Sequence, residues 1–246
     1  MRHIYLSPHL DDAVLSAGGM IYDLTQAGET VEIWTLMCGD PQLAECSSFA
    51  DELHQKWGFA SAAETVRERR LEDHAAAAWV GASVQHFDNF WDCIYRKNTS
   101  GEWLYPKTIF VPPDAGDADY PAQIAAAISA RLQPTDSLIC QLGLGSHVDH
   151  VLMRHAAELL GRPLRYHVDV PYWFYYADQY AAKSAGMNES TVSITEAGLE
   201  RWIEAVLLYK SQLPVLGDAF DTPQKAEERI RSYWGEREGI RLLQFG

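Results

Sequence analysis

Short runs of β-prone residues alternate along this chain with segments of helical period, and that alternation restricts the fold more than any other feature of the sequence. Residues 4–7 read as a strand, 14–26 as a helix ending before Gly28, and 31–37 as a strand buried on both faces at its end. Residues 38–60 are irregular apart from a short helix at 49–57. A strong helix over 65–80 stops at Gly81 and is followed by a strand at 83–87. The pattern repeats as a helix at 121–132, a strand at 137–142 and a helix at 149–160. Residues 164–174 and 191–194 read as further strands, Thr195 as the cap of a helix running to about 212, and 223–234 as the last helix. Strands joined by such helices predict an α/β fold, a three-layer sandwich around a mainly parallel, Rossmann-like sheet. At 246 residues, with no low-complexity break, the expectation is one domain over 1–246.

Parallel sheets bind ligands beyond the carboxyl ends of their strands, and the polar clusters of this sequence fall there. Ser7-Pro8-His9-Leu10-Asp11-Asp12 follows the first strand, Cys38-Gly39-Asp40 the second, Asp88-Asn89 the third, and Gly145-Ser146-His147-Val148-Asp149-His150 the fourth. The first and last each put imidazole and carboxylate on one turn. Two imidazoles and one carboxylate suit Zn²⁺ or Fe²⁺, and three protein ligands leave a position open for water, as in catalytic sites. One carboxylate then remains as a base, one histidine as an acid, and a last carboxylate to orient that histidine. Each cluster alone has a plainer explanation, because an Asp-Asp pair or a histidine at a helix start also serves as an ordinary cap.

Read together, Pro8-His9-Leu10-Asp11-Asp12 resembles the Pro-His-x-Asp-Asp signature of the PIG-L/LmbE-like family of metal-dependent N-deacetylases, and His147-Val148-Asp149-His150 is similar to its His-x-Asp-His. Arg69-x-x-Glu72-x-x-x-Ala76-x-x-x-Val80-Gly81 resembles a third family element and Tyr209-Lys210-Ser211-Gln212 a fourth, so the likeness covers roughly residues 1–215. The resemblance implies His9, Asp12 and His150 as ligands of Zn²⁺, with Fe²⁺ the other ion this donor set suits, and Asp11 as base; of the groups left over, His147 is then expected as acid and oxyanion donor and Asp149 as the carboxylate that orients it. It also implies removal of acetyl from an N-acetylated amino sugar or its conjugate. Arg69, Arg96 and Asp88 are candidate substrate-binding residues. Some family members carry a tyrosine two residues ahead of the first histidine of the second motif, where this chain has Gly145, so another oxyanion donor has to substitute. The segment Asp92–Arg96 is the candidate nearest in sequence.

Composition bears on what the site can serve. Lys and Arg number 20 against 34 Asp and Glu, and a net charge of −14 opposes nucleic acid and anionic lipid. No apolar run reaches the roughly 20 residues of a membrane span, and the first residues lack a signal-peptide plan, which together predict a cytoplasmic protein. Cys38, Cys46, Cys93 and Cys140 form no C-x-x-C pair, so neither disulfides nor a thiolate zinc site are expected. Nicotinamide chemistry lacks a Gly-x-Gly-x-x-Gly after the first strand, and Ala17-Gly18-Gly19 lies inside a helix. A serine hydrolase lacks its Gly-x-Ser-x-Gly elbow. Metal-dependent phosphoester hydrolysis stays a third reading, and a metal-containing binder or sensor of an N-acetylated metabolite is the non-enzymatic alternative. The run Tyr172-Trp173-Phe174-Tyr175-Tyr176, read as a strand, places only alternate rings toward a sugar. Homo-oligomerisation is left open by the sequence.

Overall fold

The computed structural model describes all of residues 1–246. In chain order its regular elements are β1 (Arg2–Ser7), α1 (Asp12–Gln26), β2 (Thr30–Thr35), α2 (Ser48–Trp57), α3 (Ala62–Trp79), β3 (Ser83–His86), α4 (Tyr120–Ser129), β4 (Ser137–Gln141), α5 (Val148–Leu159) and β5 (Leu164–His167). There follow α6 (Val170–Tyr176), α7 (Tyr180–Lys183), β6 (Met187–Ser193), α8 (Glu196–Val206), α9 (Pro223–Gly235) and β7 (Gly239–Phe245).

The seven strands form one sheet in the order β3-β2-β1-β4-β5-β7-β6. The first five are parallel, whereas β7 runs antiparallel to β5 and β6 antiparallel to β7. Strand order reverses between β1 and β4, which pair from His3↔Ser137 to Leu6↔Cys140. At such a reversal the helices that follow leave on opposite faces and a crevice opens beyond the strand ends. Here α1 packs on α8, which also contacts α3 and α9, while α4 packs on α5. This is the expected three-layer sandwich.

β1 and β4 are buried along nearly their whole length, as strands covered on both faces must be. The core is one cluster of 58 buried residues with members from β1, β2, β4, β5 and β7. Gly18 has a packing reason to be glycine: an added Cβ would meet Trp202 Cδ1 of α8 at 2.6 Å. The Trp202 indole in turn donates to the Leu15 carbonyl at 3.2 Å. Thr195 caps α8 as expected, its hydroxyl accepting from Gly198 N at 2.9 Å, although the helix ends at Val206 rather than near 212.

Two sequence expectations fail in the C-terminal half. The strand over 164–174 ends at His167, and the aromatic run is the helix α6. Pro171 lies in its first turn, where the missing N–H costs nothing, whereas in a strand it would remove a ladder bond. Strand β7 was not anticipated, and it inserts between β5 and β6.

Candidate active site

The loops after β1 and β4 meet at the strand-order reversal. Asp11 directly precedes α1 and His147 directly precedes α5. They open on a cavity of about 460 Å³ lined by His9, Asp11, Asp12, Arg69, Asp92 and His147 at one end. The remaining wall is mainly apolar, with Phe49, Leu53 and Trp57 of α2, Ile109 and Phe110, and Val215 and Leu216.

His9 Nδ1 lies 3.3 Å from Asp12 Oδ2, and His150 Nε2 lies 3.2 Å from Asp12 Oδ1. A tetrahedron with metal–ligand bonds of 2.0–2.1 Å has edges of about 3.3–3.4 Å, and each of these spacings is close to such an edge, the two imidazoles facing different oxygens of Asp12. His150 Nε2 is buried and has no hydrogen-bond partner in the chain, the state of a nitrogen reserved for a metal. The opposite nitrogens are occupied by carboxylates. His9 Nε2 donates to Asp149 Oδ2 at 3.0 Å, and His150 Nδ1 approaches Asp169 Oδ1 at 3.3 Å. Carboxylates placed behind both imidazoles orient them as in metal centres. The donor set therefore fits a divalent cation. His147 brings a ring nitrogen within 4.8 Å of those of His9 and His150 and is the neighbouring alternative ligand.

Electrostatics agree. Five carboxylates (Asp11, Asp12, Asp92, Asp149, Asp169) surround the histidines against two guanidiniums, Arg69 and Arg96, an excess of three ionisable acidic groups of which a dication would balance two. Burial disfavours a charged His150, yet Asp12 and Asp169 outweigh it and raise the imidazole to about 9. His9 is raised well above its usual value against the same burial by Asp12 and Asp149. Burial and the charge of Asp12 push Asp11 up to about 7, with Arg69 and His9 opposing. His147 moves the other way, held well below its usual value by burial and by the neighbouring His9 and His150.

Several expected roles change. Asp149, expected to orient His147, directs its carboxylate elsewhere: Oδ2 accepts from His9 and from Cys93 N (2.8 Å), and Oδ1 accepts from Arg96 Nη2 at 2.6 Å. His147 instead accepts through Nδ1 from the Asp149 backbone N–H at 3.1 Å, capping α5, so its remaining proton sits on Nε2. Arg96, expected at the substrate or in solvent, does neither. It is buried, bonded to Asp149, to Asp117 at 3.0 Å and to the Trp91 carbonyl at 2.9 Å, and does not line the cavity. Asp88 is also displaced from the site, since it lies on the surface and pairs with Arg70 at 2.6 Å. The loop after β3 thus contributes Asp92 rather than Asp88.

Arg69 lines the cavity. It is 7% exposed, lies 3.5 Å from Asp11 Oδ2 and 3.9 Å from Asp92 Oδ2, and leaves Nε without a partner. Its neighbours Arg67 and Arg70 are spent on Glu68 and Asp88. The same helix latches the 209–212 segment: Glu72 accepts from Ser211 Oγ at 2.6 Å and Asp73 from Tyr209 OH at 3.0 Å. That latch joins the third and fourth sequence elements in space and brings Gln212 and the following turn to the cavity wall.

The sequence reading does not single out Asp169 as a site residue, and it includes Asp92 only within the segment Asp92–Arg96. Asp169 lay inside the supposed strand, although Asp-Val-Pro is a helix-start signal. Its carboxylate accepts from Gly143 N and Leu144 N at 2.8 and 3.0 Å, which ties the second-motif loop to α6.

Comparison with known proteins follows the same lines. Residues 4–160 match the family model "PIG-L: GlcNAc-PI de-N-acetylase". A 2'-N-acetylparomamine deacetylase from Niallia circulans is 25% identical over 191 residues, covering 69% of this chain and 67% of that protein. Among solved structures, a zinc-inhibited form of teicoplanin deacetylase is 26% identical with a TM-score of 0.84, covering 99% of this chain and 97% of the other. The A40926 pseudoaglycone deacetylase is 27% identical with a TM-score of 0.75, at 99% and 96% coverage.

Proposed function

The chain belongs to the PIG-L (GlcNAc-PI de-N-acetylase) family, and on that footing we propose that it is a metal-dependent hydrolase that removes acetyl from an N-acetylated amino sugar or a conjugate of one. The observation that carries this reading is the donor set itself, two imidazoles close to the oxygens of one carboxylate with an unpartnered His150 Nε2, on a cavity that Asp11 also lines. His9, Asp12 and His150 would hold the ion, Zn²⁺ or Fe²⁺. When bound, such an ion supplies Lewis acidity toward an amide carbonyl and a water molecule.

The chain's own groups do the rest. Asp11, steadied by Arg69, accepts the proton of the attacking water. Burial and the neighbouring His9 and His150 disfavour a charged His147, so in this reading the proton accepted by Asp11 is the one returned to the leaving nitrogen, and His147 contributes an Nε2–H hydrogen bond. Asp149 and Asp169 hold the two ligand imidazoles in orientation. Arg69 and Asp92 are placed to bind sugar hydroxyls, and the apolar wall suits a bulky or apolar group carried by the sugar. The related deacetylases, named for acetylparomamine, teicoplanin and A40926 pseudoaglycone, support such conjugates as the substrate class. A single domain spanning 1–246 is part of the proposal and is supported by the one continuous core. No helix is long and apolar enough to cross a membrane.

The test is to strip the protein of metal, restore Zn²⁺ or Fe²⁺ in stoichiometric steps, and assay N-acetylglucosamine and its glycosides for free amine and acetate. Equal, metal-dependent release of the two products is expected. Tight binding of such glycosides without release at any metal loading would favour the sensor reading instead.

A further inference from the structure

An amide hydrolase must offer hydrogen-bond donors where the carbonyl oxygen gains charge, and in a site already crowded with carboxylates a neutral donor is the suitable kind. Helix α6 supplies one. Its start is fixed to the site twice, because Asp169, the residue before it, bonds both His150 and the second-motif loop, and Val170 N donates to Ser16 Oγ of α1 at 3.3 Å. Tyr172 follows on the first turn. Its ring stands edge-to-face against His150 with centroids 5.3 Å apart, and it lines the cavity beside Asp11 and Asp12. No hydrogen bond within the chain occupies its hydroxyl.

The loop opposite is shaped to admit this ring. Gly145 has φ +77°, and a Cβ built there would lie 2.7 Å from Tyr172 Cδ1 and 3.0 Å from the ring of Tyr176. A side chain at 145 and the Tyr172 ring in its present seat therefore exclude one another. Farther along the same wall the Gln212 amide donates to Ser211 Oγ at 2.8 Å, and Tyr175 OH accepts from Ala219 N at 2.6 Å.

We propose that Tyr172 is a catalytic residue, its phenol O–H donating to the carbonyl oxygen of the scissile amide as that oxygen becomes negative. No proton is transferred. Burial and the charges of Asp12 and Asp11 raise the phenol well above its usual value, so it stays protonated at neutral pH, and the bond strengthens as the carbonyl π electrons move onto oxygen and relaxes when the C–N bond breaks. His147 Nε2–H and Tyr172 O–H would then approach the reacting group from two different elements.

This inference rests on the amide-hydrolase reading, and the test separates the two. Tyr172→Phe keeps the ring packed on Gly145 and His150 and removes a hydroxyl that supports nothing in the fold, so metal content and melting temperature should match the parent. With an N-acetyl amino sugar that the parent hydrolyses, kcat should fall about 10²-fold at little change in KM. Affinity for the methylphosphonamidate analogue of the same sugar, whose tetrahedral oxygens stand in for the oxyanion, should fall by a similar factor. An unchanged kcat, or a raised KM with kcat intact, would overturn the role, the latter assigning the hydroxyl to sugar binding. If the parent releases no amine from any N-acetyl amino sugar, the hydrolase reading falls and this inference with it.

Discussion

Replacing Asp149 by asparagine should destabilise the protein and loosen its metal together, although in the structure Asp149 touches no metal-facing nitrogen. Three donors converge on its carboxylate: His9 Nε2 and Cys93 N on one oxygen, Arg96 Nη2 on the other. An asparagine keeps one acceptor and turns an N–H₂ against the remaining donor, so one buried donor must go unpaired. It also leaves Arg96, 5% exposed, with Asp117 as its sole carboxylate partner. Breaking a buried ion pair from one side costs about 3–5 kcal/mol. For a chain of this size that corresponds to a melting temperature lower by roughly 6–20 °C. Loss of the carboxylate behind His9 should weaken metal binding about 10–100-fold. Differential scanning fluorimetry of the metal-free proteins, with a chelator competition for affinity, reads both quantities. A variant that melts within 2 °C of the parent and holds metal equally well would refute the reasoning, since the buried Arg96–Asp149–His9 chain would then carry neither load.

Further outcomes follow from the same geometry. Because Asp12 and Asp169 lift His150 to about 9 in the metal-free protein, metal must displace a proton there; affinity should fall as pH drops below that value, with proton release seen by calorimetry in buffers of different ionisation enthalpy, and a pH-independent affinity would contradict it. Arg69→Gln removes the cation 3.5 Å from Asp11, so the acid limb of kcat/KM should move to higher pH, whereas Arg67→Gln on the exposed face should leave the profile in place. Gly18→Ala forces a Cβ to within 2.6 Å of Trp202 and should cost about 1–3 kcal/mol in urea unfolding; a neutral result would mean that α1 and α8 yield without strain.

Much of this arrangement is legible in the chain because its cues are local. The strand–helix alternation from β1 to α5 rests on period and turn residues, and the two histidine–aspartate clusters sit directly at strand ends, so both the sheet class and the crevice follow without distant contacts. What is not legible depends on pairing across the fold. Aromatic residues favour strands as a class, and in 164–174 that preference masks the start signal at Asp169–Pro171; as a helix, the run turns Tyr172, Tyr175 and Tyr176 to the cavity at positions i, i+3 and i+4. Strand β7 gains its place only by pairing with β5 and β6. The partner of each buried charge is equally non-local. Nothing near Arg96 in sequence says that it meets Asp149, or that Asp149 turns from His147 to His9, and so the second-motif carboxylate was given the wrong imidazole while Asp169 was given none.

The central claim, a metal held beside an independent proton-accepting carboxylate, is tested most directly by measuring bound metal and amine release in parallel for Asp11→Asn and Asp12→Ala. Asp11→Asn should retain one equivalent of metal while losing about 10²- to 10⁴-fold in rate, and Asp12→Ala should lose metal and activity together. Normal turnover by Asp11→Asn, or full metal retention by Asp12→Ala, would contradict the account.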